Sequence, residues 1–244
     1  MPDSRGISLF KAEIVAIPKP TSLTEVIGTA RLASYFATYP GRDELVVRLY
    51  SWNIALSAAL WGPLGVLEVA TRNAIHQQLA DRAGRSDWWE DRRLSATLVD
   101  REWKSLHDAI LTSARRKHYP TPDDVVAATG FGFWVGLLGA GVPRHPVQSY
   151  ETSLWQPRLH RAFPDYSGGR KRLHAELDLI RGVRNRVAHH EPVFRSDVGN
   201  LIDRIARVAG YIDPHAEAYI RANERVSTIV AAKRDFVEHG RTFI

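Results

Sequence analysis

Apolar residues recur at spacings of three and four along most of this chain, the period of helices that bury one stripe. Thr21 and Ser22 offer N-cap chemistry to a first helix over 22–38. After the turn YPGRDE, the run ELVVRLYSWNIALSAAL predicts a second helix that ends at the Gly62-Pro63 break. A third starts with Pro63 in its first turn and stops before Gly84. A Trp- and Arg-rich connection then leads to a helix over 95–118, which closes on cations where the helix dipole favours them. Thr121 and Pro122 open a short helix, and the aromatic, glycine-rich GFGFWVGLL reads as a short buried one. Residues 146–169 read as loop or short helix. The next helix runs from Arg170 to about His190, because Pro192 pushes the residue before it out of the α region. Two more are predicted over 196–213 and 214–237.

No stretch alternates with the period of a strand, and no internal repeat appears. The expected architecture is therefore all-α, a single helical domain over 22–244 of roughly seven to nine helices. Residues 1–21, ending in IPKP, read as an N-terminal arm.

Composition adds limits to this picture. Hydrophobic residues are 44% and charged residues 25% of the 244, the balance of a chain with a packed core. The longest apolar run is broken by Gly62-Pro63 and interrupted by Glu68, so no membrane span is expected. The N-terminus lacks the order of a secretory signal, which points to a cytoplasmic protein. Cysteine is absent, which excludes disulfides, thiolate metal sites and cysteine nucleophiles. A net charge of +6 suits a polyanionic partner such as RNA.

Two charges interrupt the helical stripes. On a wheel at about 100° per residue, Leu173, Leu177, Ile180, Val183 and Val187 share one face of the 170–190 helix, and Arg184 falls within it. In the third helix Glu68 falls among Leu60, Leu64, Leu67, Thr71 and Ile75, with Arg72 on the margin. Removing one member of a buried pair costs about 3–5 kcal/mol, so an ion pair between Glu68 and Arg184 is the simplest resolution. The competing reading is a snorkelling arginine and a histidine pair that merely caps a helix.

The stretch LDLIRGVRNRVAHHEPVF, together with LEVATRNAI upstream, resembles the Abi-like (AbiD/AbiF-type) proteins of bacteria, members of the HEPN superfamily of all-α domains. The superfamily's mark is an arginine, four to six residues, then a histidine, with a polar residue directly after the arginine. Arg184, Asn185 and His189 match it, and the likeness extends over most of residues 22–210. It implies a HEPN-like helical bundle with additional helices. It further implies a metal-independent endoribonuclease without a cofactor, whose site forms where two copies of the motif meet in a homodimer. Arg184 and His189 would be the catalytic pair, Asn185 would orient them, and Glu68 matches the family's upstream acidic position. A role in phage defence by abortive infection, or as a toxin with an antitoxin or other regulatory partner, comes from the resemblance alone.

The residue types suit that chemistry. RNA supplies its own 2′-hydroxyl nucleophile, so an imidazole as base or acid and a guanidinium on the phosphate suffice. Five positions separate Arg184 from His189, about 140° around a regular helix, so one copy does not aim both at one phosphate. That is the independent reason to expect a twofold dimer. His190, Arg181, Arg186, Arg72, Lys171 and Arg172 are candidates for RNA binding, within a basic region that also holds Arg158, Arg161 and Arg170. Trp155 or Tyr166 could stack on bases. A DNA-reading helix-turn-helix finds no recognition helix in the sequence, and two further rivals stand: a non-catalytic RNA- or nucleotide-binding or protein-interaction HEPN module, and a zinc site on His189, His190 and a carboxylate. The second is disfavoured because adjacent histidines point about 100° apart on a helix.

Overall fold

The computed structural model describes residues 20–241; the arm proposed for 1–21 lies outside the described residues except for its last two positions. One helix organises the molecule. Helix α3, Asp43–Ala83, is continuous over 41 residues, so the two helices expected on either side of Gly62-Pro63 are one. Pro63 cannot donate to the carbonyl four residues back, and an interior proline costs about 3 kcal/mol. The loss is offset by burial on both sides of it, since Leu56, Leu60, Leu64 and Leu67 are each no more than 2% exposed. Gly84 closes α3 in the left-handed conformation, at φ 69°.

Before it, the first predicted helix is split at Gly28 into α1, Pro20–Ile27, and α2, Thr29–Phe36. Gly28 has φ 85°, a conformation open to glycine and closed to a helix. After α3, Asp91 caps α4, Arg92–Ser95, by accepting from the Arg93 and Leu94 amides. Helix α5 spans Asp100–Arg116, and α6, Pro122–Ala128, opens with a capping box in which Thr121 and Asp124 exchange hydrogen bonds. Helix α7 is Phe131–Gly136, wholly buried apart from Gly132. Residues 151–155 and 159–162 form short π and 3-10 turns.

Helix α8, Arg170–Ala188, packs on α3 and α7, and α9, Val198–Gly210, packs on both α3 and α8. The helix expected over 214–237 is three: α10, Pro214–Asn223, α11, Val226–Ala231, and α12, Lys233–His239. Glu224 leaves the helical region at ψ 144°, and its carboxylate accepts from the Ser227 amide to start α11. The break lets α11 and α12 lie along α3, where Trp52 Nε1 donates to the Ile229 carbonyl at 2.9 Å. The described residues contain no strand, and the fold is all-α. A single cluster of buried apolar residues runs from Leu32 to Val237.

Helix α3 is also long and apolar enough, by length and composition, to cross a membrane. A helix at the centre of a bundle passes the same test, and α3 is backed by α8, α9, α11 and α12.

Candidate active site

Glu68 and Arg184 meet where α3 crosses α8. Arg184 Nε donates to Glu68 Oε2 at 3.1 Å. Leu173, Leu177 and Ile180, all at 0% exposure, hold the inner face of α8 against the core and thereby fix the position of Arg184. The pair sits at the rim of that core, not inside it: the Arg184 and Glu68 side chains keep 29% and 20% exposure. At that exposure the pair is worth about 1 kcal/mol, well below the figure for a fully buried one. The guanidinium carbon also lies 5.5 Å from the centroid of the Trp61 ring. Neither Nη group of Arg184 has a hydrogen-bond partner among the described residues, so an oriented cation keeps donors free for an anion.

The end of α8 is built with equal care. The helix stops at Ala188, two residues before the expected His190, with His189 as its C-cap. His190 takes φ 55° and Glu191 N donates back to the Arg186 carbonyl at 2.8 Å, while His190 N donates to Val187 at 3.1 Å. This is a Schellman turn with histidine in the position usually held by glycine. A left-handed backbone costs a non-glycine residue about 1–2 kcal/mol and tends to persist where the imidazole has a use. Arg31, from α2, clamps the turn by donating Nη1 to the His189 and His190 carbonyls at 3.4 and 3.3 Å. Beyond it, Asn53 Oδ1 accepts from the Val193 and Phe194 amides at 2.8 and 3.1 Å, tying the next segment to α3. Both imidazoles are exposed, and Asn185, half-buried, makes no side-chain hydrogen bond among the described residues.

Comparison with protein-family models, with curated proteins and with solved structures returns no match. The reading of this site therefore rests on its geometry.

That geometry divides the predicted RNA-binding residues. Arg72 lies one turn beyond Glu68 on α3, half-buried, with Nε 3.4 Å from Asn73 Oδ1. Arg186 and His190 are exposed beside the site. Lys171 and Arg172 are exposed at the opposite end of α8, about 20 Å from Arg184 at 1.5 Å per residue, and do not join it. Arg181 pairs with Asp178 at 2.7 Å and faces a different cleft.

The expected basic track is largely neutralised within the fold. Arg158 pairs with Asp81, and Arg172 lies 3.7 Å from Glu176. Arg170 is buried, bonded to Glu151 at 2.8 Å and to the Leu138 and Gly139 carbonyls. Arg161, Lys171 and Arg186 keep no ion-pair partner among the described residues. Trp155 is 8% exposed and packed against Phe163, so it cannot receive a base. Tyr166 is tilted against Tyr211, centroids 4.8 Å apart, and its hydroxyl donates to Gly169.

Two participants escaped the sequence reading. Trp61 stands two turns before Glu68 on the same stripe of α3, a spacing of seven that the wheel contains. Arg31 lies more than 150 positions from the turn it holds, and no local pattern announces such a contact.

Proposed function

We propose that the chain is a metal-independent endoribonuclease of HEPN type that acts as a homodimer. The observation that carries the reading is an arginine held through Nε by Glu68, with both Nη groups free, on the last turns of a helix that ends in a clamped histidine pair. Arg184 stabilises the charge that develops on the phosphate. His189 takes the proton of the 2′-hydroxyl or returns one to the leaving 5′-oxygen. Asn185, whose side chain makes no hydrogen bond within one copy among the described residues, orients the two across the dimer, and the product is a 2′,3′-cyclic phosphate with a free 5′-hydroxyl.

Support for a second copy comes from α3. Residues 49–67 contain no charge, yet Ile54, Ala58, Trp61, Gly62 and Gly65 are exposed. An uncharged helix face beside the motif is what a twofold partner would cover, and it would bring the second histidine to the first arginine. A role in abortive infection or as a toxin, and an antitoxin partner, belong to the same proposal.

The deciding experiment incubates the purified chain with total RNA and with tRNA in EDTA, beside His189→Ala and Arg184→Ala. Cleavage by the native chain alone supports the reading. Equal cleavage by His189→Ala removes it, and RNA binding without cleavage by any of the three favours a non-catalytic binding module.

A further inference from the structure

A second cleft, of about 670 Å³, opens on the other side of α8 between α5, α7 and the 139–141 loop. Its size is that of a small-molecule site, and its lining mixes polar and apolar groups as such sites do. Glu102 lies in its wall with a side chain only 2% exposed, an unusual place for a carboxylate. Glycine makes room for it: a Cβ at Gly136 would collide with Glu102 Oε1. Behind it, the Tyr150 hydroxyl donates to Oε2 at 3.4 Å and accepts from the Val99 amide at 3.0 Å.

The partner on the open side is Arg101, the preceding residue, whose Nε and Nη2 both donate to Oε1. Arg101 is 78% exposed and water can take over its donors, so it can leave the buried carboxylate at little cost where another pair of donors replaces it. What it presents to the carboxylate is a planar edge with two adjacent N–H donors.

Guanine carries the same edge. Its N1–H and N2–H lie side by side, whereas adenine and cytosine set one amino donor beside an acceptor and uracil offers a single N–H between two carbonyls. A guanine seated on Glu102 would free Arg101 for the attached phosphate. Arg181 of α8, paired with Asp178 at 2.7 Å, adds a second cation to the lining, to which His174 also belongs.

The geometry points to a guanine-nucleotide site in this cleft, with Glu102 reading the base and Arg101 and Arg181 meeting the phosphate. It goes beyond RNA cleavage and does not depend on it. The two are nonetheless aligned: His174, Asp178, Arg181 and Asn185 fall at i, i+4, i+7 and i+11, one stripe of α8 that leads from the cleft to the candidate active site. Asn185 is about 16 Å along the axis from His174.

The test is calorimetric titration of the full chain carrying His189→Ala, so that RNA is not cut. The ligands are 5′-GMP, 5′-AMP, 5′-CMP and 5′-UMP, and an oligouridylate with a single guanosine. We expect 5′-GMP to bind about tenfold or more tightly than the other three, the discrimination of one bidentate contact. Glu102→Gln, which turns one acceptor into a donor, removes that preference. A guanosine oligonucleotide that binds more tightly than 5′-GMP assigns the site to an RNA strand, and equal binding assigns it to the free nucleotide. Equal affinity for the four mononucleotides, or none, overturns the site, as does a preference that survives Glu102→Gln. If Glu102→Gln does not fold, Ser105→Phe, which fills the cleft from its half-buried rim, must abolish 5′-GMP binding; undiminished binding sinks the proposal. Guanine selectivity in a chain that leaves RNA intact would keep this site and discard the nuclease.

Discussion

The two ends of α8 use their arginines in different ways. From Arg170 to Arg181 each arginine is matched: Arg170 to Glu151, Arg172 to Glu176, Arg181 to Asp178. From Arg184 to His190 one arginine is held by a single nitrogen, Arg186 has no ion pair among the described residues, and the two histidines that follow face solvent. What separates the arginines of the two ends is how fully the carboxylates of the fold occupy them. Toward the N-terminus the arginines are tied to carboxylates, Arg181 through Asp178 at the cleft of α5 and α7, whereas the C-terminal end presents its groups to something else.

If that contrast is sound, His189→Ala abolishes RNA cleavage, by about 10²–10⁴-fold, and leaves the thermal midpoint unchanged, which gel assays and a circular-dichroism melt would show together. A chain that loses both belongs with the structural half. Arg170→Met has the reverse signature: it leaves the Leu138 and Gly139 carbonyls without their buried donor and lowers stability by about 3 kcal/mol, read from urea unfolding. Glu68→Gln falls between them, costing about 1 kcal/mol because the pair is partly solvated, and lowering cleavage by about tenfold as Arg184 loses its anchor. A fully stable and fully active Glu68→Gln protein would detach the two residues from any shared task. His190→Gly relieves the left-handed backbone and raises stability by roughly 0.5 kcal/mol, the strain removed less glycine's own entropy.

The smallest effect concerns pH. Burial, with smaller contributions from Arg170, Arg101 and Arg181, lowers the pKa of His174 below its usual 6.5, against the pull of Asp178. The unfolded chain then binds the proton more readily than the folded one, so stability is complete above pH 6.5 and declines as pH falls below it toward the lowered value. His174→Phe makes that part of the urea-midpoint profile shallower, the remainder belonging to His76, whose pKa burial lowers likewise; an unaltered slope removes His174 as a source.

Sequence reached the helical class, the start of α8 at Arg170, the Thr121 cap of α6 and the meeting of Glu68 with Arg184. These are written in periodicity and in caps that span three or four residues, or in a charge that a stripe cannot leave alone. It missed the passage of α3 through Gly62-Pro63, because local propensity predicts a break that burial of Leu60, Leu64 and Leu67 overrides. It placed the end of α8 two residues late, since the steric reach of Pro192 was visible and the Schellman turn at His190 was not. It did not foresee which cations carry ion pairs, for the same reason: Asp81 lies far along the chain from Arg158, and Glu151 meets Arg170 only across a loop. Which arginines are occupied is a property of the folded arrangement, and the second cleft, assembled from α5, α7 and α8, had no signature at all.

The unbroken span of α3 has one more consequence. At about 1.5 Å per residue it forms a beam of some 60 Å to which the front, the back and the C-terminal layer are all bolted. No cut within it leaves two self-sufficient pieces, since each would expose the lining the other had covered. The molecule should therefore come apart in one cooperative event, and proteolytic trimming is a poor route to a smaller working fragment.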